Sequence, residues 1–163
     1  MITIFEEFLS ADDLFKLVSL SSKIYTSGDY VLRTNASWTS DILGNSFPII
    51  NYKIEDEEIL EMLQKKITSY KIKSASFFYF TEHSFIPWHS DGGHDAALTI
   101  YLSSHNENDG GYFLYEISEG IFNAVAPKQN RAVLQENSVR HATTAVHSRA
   151  ELRKTLQIFY EKT

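Results

Sequence analysis

The chain has 163 residues, 43% of them hydrophobic and 13% aromatic, with a formal charge of -6 and no cysteine. That length supports one compact domain over 1–163 and is short for two. The negative balance repels a phosphate backbone or an anionic membrane surface, and the absence of cysteine excludes disulfides, thiolate zinc sites and iron-sulfur clusters.

In chain order, Ser10 and Asp13 read as an N-cap with an acidic first turn, and Leu14, Leu17, Val18 and Ser21 recur at helical spacing, so a helix is expected over 11–22. Residues 26–52 carry Gly28, Gly44, Pro48 and scattered aromatics without a sustained period, which reads as loop with short strands. Trp38 in that stretch reads equally as a core plug or as part of a lid. From Glu55 to Tyr70 the chain runs from acidic to lysine-rich, with Ile59, Leu60, Leu63 and Ile67 forming one apolar stripe, the pattern of a second helix.

From Ile72 the pattern changes to short runs of β-branched and aromatic residues parted by Gly, Asn, Asp and Pro. Strands are expected over 74–81, 85–89, 96–103, 111–117, 120–126, 131–136 and 152–160, with a short one at 139–142. A helical part over about 1–71 followed by a jelly-roll core over about 72–161 is a mainly β fold with flanking helices (α+β). It corresponds to a double-stranded β-helix, cupin-like, with its N-terminal helices packed on one outer face. No apolar run has the length of a membrane span and no signal peptide is legible, so the expected location is cytoplasmic, with no membrane and no nucleic-acid partner.

Three features carry chemistry. His89 and Asp91 lie two residues apart at a strand end, so their side chains project to one side and can meet one ion. His141 follows far along the chain, where a β-sandwich can return a strand beside the first. Two histidines and a carboxylate on one face of an octahedral ion leave three positions open, as oxygen activation at ferrous iron requires. The third feature is the run Arg153 to Tyr160. If Leu156, Ile158 and Tyr160 pack one way, Arg153, Thr155 and Gln157 share the other face, and an arginine there can fork onto a carboxylate.

Taken in order, these residues resemble the 2-oxoglutarate- and Fe(II)-dependent oxygenases of the prolyl 4-hydroxylase type. The similarity covers roughly Ser74 to Tyr160. It runs through the aromatic strand ending at Tyr79, His-x-Asp at His89 and Asp91, and Leu98 to Leu102. Then come Gly110-Gly111, Val125-Ala126-Pro127, His141 and Arg153. Where the family places a glycine after that proline, this chain has Lys128-Gln129-Asn130, and Asn tolerates the left-handed conformation.

The resemblance implies Fe(II) held by His89, Asp91 and His141, with Arg153 pairing with the distal carboxylate of 2-oxoglutarate and Tyr101 donating its hydroxyl to the same group. It places Tyr79 in the cosubstrate pocket as well. It implies conversion of 2-oxoglutarate and O2 to succinate and CO2 with hydroxylation of a protein, peptide, amino-acid or other small-molecule substrate, and it admits ascorbate as an accessory reductant.

Alternatives stand beside each residue. His147 competes with His141 for the second imidazole, and Arg149 competes with Arg153. Tyr79 and Tyr101, as aromatics within strands, read as core residues without the family match. His83, His94 and His105 read as surface histidines, with a supporting role left open for His94. Two further readings of the whole are a jelly-roll binding module without chemistry and a cupin-like metalloenzyme that uses no keto acid.

Overall fold

The computed structural model describes residues 1–33, 49–136, 138–147 and 152–162. In chain order the elements are β1 (Ile2–Phe5), α1 (Ala11–Ser27), β2 (Val31–Arg33), β3 (Ile49–Lys53), α2 (Glu57–Gln64), β4 (Tyr70–Phe80) and β5 (Ile86–His89). They continue with β6 (Ala96–Tyr101), β7 (Phe113–Ser118), β8 (Ile121–Val125), β9 (Ala132–Glu136), β10 (His141–Thr143) and β11 (Arg153–Lys162). Trp38 and Arg149 lie outside the described residues.

The strands form a seven-stranded sheet, ordered β1-β9-β6-β11-β4-β3-β2, and a four-stranded sheet, ordered β5-β10-β7-β8. This is the double-stranded β-helix expected from the sequence. In the larger sheet β11 is the centre, paired antiparallel with β4 on one side and β6 on the other. Its alternation sorts the chain into two faces. Leu156, Ile158 and Tyr160 enter one core with Ala75, Phe77, Tyr79, Leu98 and Ile100, against Leu17 and Ile24 of α1 and Ile59 and Leu63 of α2. Arg153, Thr155 and Gln157 face the other way, into a cleft between the sheets. Each fully buried aliphatic chain in that core contributes about 1.5–3 kcal/mol relative to exposure, enough to fix the register of β11.

The helices differ in length from the periodic reading. Ser10 Oγ accepts from the Asp13 amide, and α1 then runs on to Ser27, because Ile24 and Tyr25 continue the packed face. Gly28 ends it in the left-handed conformation at φ 73°. In α2 the Asp56 side chain accepts from Ile59, but the helix stops at Gln64. The Gln64 amide donates to the carbonyls of Ile67 and Tyr70 and accepts from the Ile72 amide. That turn sends the chain directly into β4, which therefore begins at Tyr70, before the strand expected from 74. Strand β1, unexpected from so short a segment, pairs with β9 at the edge of the larger sheet.

Two loop features place the cleft. Asn130 adopts φ 63°, so an asparagine does hold the left-handed turn ahead of β9, and its side chain bonds both the amide and the carbonyl of Leu9. Gly110 and Gly111 take φ 69° and 68°, and the Gly111 amide donates to the Ala145 carbonyl. A Cβ at Gly110 would stand 2.1 Å from that oxygen, so no other residue fits.

Candidate active site

Two antiparallel strands of the smaller sheet bring the histidines together. His89 at the end of β5 pairs in register with His141 at the start of β10, and their rings lie 4.2 Å apart between centroids. Asp91, two residues beyond His89, turns back toward both: its Oδ1 is 3.4 Å from His89 Nε2 and its Oδ2 is 3.6 Å from His141 Nε2. One ligand atom from each of the three residues lies within 4.8 Å of the others, the geometry of a single-ion site.

The imidazoles are oriented for coordination. His89 Nδ1 lies 2.8 Å from the Pro87 carbonyl and His141 Nδ1 lies 2.9 Å from the Val139 carbonyl. A carbonyl only accepts, so each Nδ1 carries a proton, and Nε2 is the atom that each ring aims at the centre, available to an ion once it carries no proton. A His₂Asp donor set with open positions suits a non-haem ferrous ion better than a closed structural zinc site.

The same cleft holds a cation that has no anion partner among the described residues. It encloses about 540 Å³, including its open mouth, and is lined by His89, Asp91 and His141 at one part and by Arg153, Thr155 and Gln157 at another. Phe78, Phe80, Phe113 and Phe159 supply its apolar walls. The Arg153 guanidinium lies over the Phe80 ring at 4.2 Å and the Tyr101 ring at 5.3 Å. Its Nε and Nη1 are buried and have no hydrogen-bond partner among the described residues, and neither has the buried Tyr101 hydroxyl. Buried donors left this way cost free energy until an acceptor arrives, and a carboxylate supplies the acceptors that all three lack.

Residues 75–161, from β4 through β11, match the family described as the 2OG-Fe(II) oxygenase superfamily. The chain belongs to that superfamily. As one of its members the protein is a 2-oxoglutarate-dependent dioxygenase, and its cofactors are Fe(II), 2-oxoglutarate and O2. Among curated proteins none matches it by sequence. Solved oxygenases share its fold at low identity. A prolyl-4-hydroxylase from Pseudomonas putida superposes with a TM-score of 0.82 at 14% identity, covering 99% of this chain and 92% of that one. A prolyl hydroxylase from Trichoplax adhaerens, in complex with a hypoxia inducible factor peptide fragment, gives 0.80 at 17% identity, covering 99% and 83%. HygX from Streptomyces hygroscopicus, with nickel and 2-oxoglutarate bound, gives 0.66 at 10% identity, covering 99% and 83%.

Electrostatics in this oxygenase follow from the crowding of His89, Asp91 and His141. For Asp91, burial raises the carboxyl pKa, but the hydrogen bond from His89 and the nearby imidazoles outweigh it and hold the group below the ordinary value. Burial works against the charged form of His89, and the Asp91 carboxylate more than compensates, so its pKa lies above the ordinary imidazole value. In His141 burial wins, and its pKa lies below. The Arg153 pKa is lowered by complete burial, opposed by Tyr101, and that of Tyr101 is raised by burial, opposed by Arg153.

The oxygenase corrects one expected contact. Tyr79 does not reach the cleft. It lies between Phe78 and Phe80, which both do, so strand alternation turns it to the helix layer. There its hydroxyl donates to the Ser21 carbonyl at 2.9 Å and receives the Ser21 hydroxyl at 3.3 Å. His147 is exposed and outside the triad, and His83 faces Glu82 at the surface. His105 has a buried Nε2 and meets the Tyr112 ring edge-on, so it is less of a surface residue than its polar neighbours imply.

Two polar residues beside the triad complete the picture. His94 Nε2 lies 3.5 Å from Asp91 Oδ2, so this histidine does sit against the site. Gln135, which sequence reasoning passed over, donates to Asp91 Oδ2 at 2.7 Å. Its signal was present: it is a polar residue on the inward phase of β9, two positions from buried Val133.

Proposed function

We propose that this oxygenase hydroxylates a C–H bond of a protein, peptide or amino-acid substrate. His89, Asp91 and His141 hold Fe(II), and Arg153 and Tyr101 anchor the distal carboxylate of 2-oxoglutarate. The observation that carries this reading is the pairing, in one cleft, of a His₂Asp cluster with the buried Arg153 guanidinium, which, like the hydroxyl of the adjacent Tyr101, lacks an acceptor among the described residues. The balance is one 2-oxoglutarate, one O2 and one C–H bond giving succinate, CO2 and one C–OH.

Fe(II) bound with the keto acid supplies the oxygen activation. The protein's own groups do the rest. His89 and His141 would hold the ion through Nε2, since their Nδ1 protons are committed to backbone carbonyls. Arg153 forks onto the carboxylate and so fixes the orientation of the keto acid. Phe78, Phe80, Phe113 and Ile86 line the cleft and exclude water, which strengthens that ion pair. A peptide as substrate draws support from the peptide complex of the Trichoplax adhaerens relative.

The test is an anaerobic titration with Fe(II) and 2-oxoglutarate, following the metal-to-ligand absorption band of the chelate. Admission of O2 with candidate peptides should then give succinate in step with substrate gaining one oxygen atom. His89→Ala should lose both signals. Absence of the band in the wild-type protein rejects the reading. Metal binding with no response to 2-oxoglutarate would favour a metalloenzyme without a keto acid.

A further inference from the structure

We propose that Gln135 is a positioning residue of the metal site, holding one oxygen of Asp91 so that the other faces the ion. The inference rests on the metal role of the triad given above.

Gln135 sits in β9 opposite Ala97 of β6 and Ile2 of β1, and is only 2% exposed. The small Ala97 leaves the amide room to reach the Asp91 carboxylate. Its Nε2 lies 2.7 Å from Asp91 Oδ2 and 3.1 Å from His141 Nε2. Reversing the amide would set its carbonyl against a carboxylate, two acceptors facing each other, so the donor end must point to Asp91. Oδ2 therefore carries the Gln135 hydrogen bond, with His94 Nε2 at 3.5 Å and His141 Nε2 at 3.6 Å around it, whereas Oδ1 has His89 Nε2 at 3.4 Å and no amide donor. The two oxygens are not equivalent, and Oδ1 is the one left to coordinate.

Packing alone does not explain an amide here. The neighbouring inward residue Val133 belongs to an apolar cluster with Tyr101, Phe113 and Val125. Gln135 Oε1 is buried without a hydrogen-bond partner among the described residues, a cost that an apolar residue of similar volume would avoid. The second amide hydrogen is spent on His141 Nε2, the atom that must ligate. Loading the ion thus gives up the bond to His141 and keeps the bond to Asp91.

The experiment titrates the full chain with Co(II) alone, following its visible bands, in wild type, Gln135→Met and Gln135→Leu. Both substitutions remove the donors at similar volume. We expect the metal to bind roughly ten- to hundredfold more weakly in both variants, as for loss of other groups that orient metal ligands. The Co(II) band pattern should also change, because an unrestrained Asp91 can chelate through both oxygens. Without metal both variants should still fold, at a modest cost in melting temperature for the lost bond to Asp91. Folded variants with unchanged affinity and unchanged bands would overturn the role of Gln135 and leave the metal site standing. If both fail to fold, Gln135→Asn, which keeps the amide but falls short of Asp91, must show the same weakening or the role is rejected. Failure of the wild-type protein to bind Co(II) would reject the site itself.

Discussion

Gly111 lies against the side chain of Arg153, so closely that a Cβ there would stand 3.0 Å from Arg153 Cδ and 3.1 Å from Nη1. Its φ of 68° adds roughly 1–2 kcal/mol of strain for any side chain. Gly111→Ala should therefore displace the guanidinium and raise KM for 2-oxoglutarate at least about tenfold, with a smaller change in kcat at saturation. Steady-state succinate formation across 2-oxoglutarate concentrations measures both. An unchanged KM in a folded variant would mean that the glycine does not shape the clamp.

Arg153 is a buried charge with no anion partner among the described residues, and such a group is kept at a cost. Arg153→Met should abolish saturable use of 2-oxoglutarate while leaving the cosubstrate-free protein as stable as wild type or roughly 1–4 kcal/mol more so, since apolar replacement of buried charge is often neutral or favourable. The stacking on Phe80 and Tyr101 pulls the result toward the lower end. Conversely, 2-oxoglutarate at a hundred times its Kd should stabilise wild type by about 2.7 kcal/mol and leave the methionine variant unmoved. Thermal melts with and without the keto acid decide both points.

Tyr101 and Tyr79 are expected to separate function from stability. Tyr101→Phe removes a buried hydroxyl beside Arg153 that has no partner among the described residues, so it should weaken 2-oxoglutarate binding by about 1 kcal/mol, roughly fivefold, at little cost to the free protein. Tyr79→Phe removes the bond to Ser21 and should cost about 1 kcal/mol of stability with no change in 2-oxoglutarate affinity. The reverse pattern would exchange the roles of the two residues.

Metal affinity should rise with pH through the imidazole range. In the metal-free protein His89 keeps its proton above its ordinary pKa, next to Asp91, whereas His141 loses its proton more readily. The charged His89–Asp91 pair stabilises the metal-free fold at mildly acidic pH. That contribution fades as pH rises through the raised pKa of His89. It also fades as pH falls through the depressed pKa of Asp91. An ion needs His89 neutral, so binding strengthens until that proton is gone, with a midpoint above the ordinary imidazole value of about 6.5. Co(II) affinity that stayed flat between about pH 5 and 8 would remove His89 from the ligand set.

Much of this arrangement was legible in the sequence because its periodicities are strong. The run from Arg153 to Tyr160 alternates cleanly, and the structure splits it into the two faces that alternation implies. His89, Asp91 and His141 were readable as a spacing, and β5 and β10 bring them together. Tyr79 failed because its phase in β4 is set by the apolar load on both sides: Phe77 to Phe80 are all buried, so composition gave no sign of which pair faced the cleft. The early end of α2 was hidden because Gln64 terminates it through three hydrogen bonds to residues that follow, a contact invisible to propensity. Gln135 was missed for a related reason, since a single polar residue in a short strand gains its meaning only from the carboxylate folded against it.

The central place of β11 has a consequence for biogenesis. The last strand in chain order is also the one that joins β4 to β6. Until it emerges during synthesis, the larger sheet exists only as two separate pieces, β1-β9-β6 and β4-β3-β2, each with an open, apolar edge that invites pairing with other nascent chains. A stop codon shortly before Arg153 should therefore yield insoluble polypeptide rather than a soluble protein lacking its keto-acid clamp.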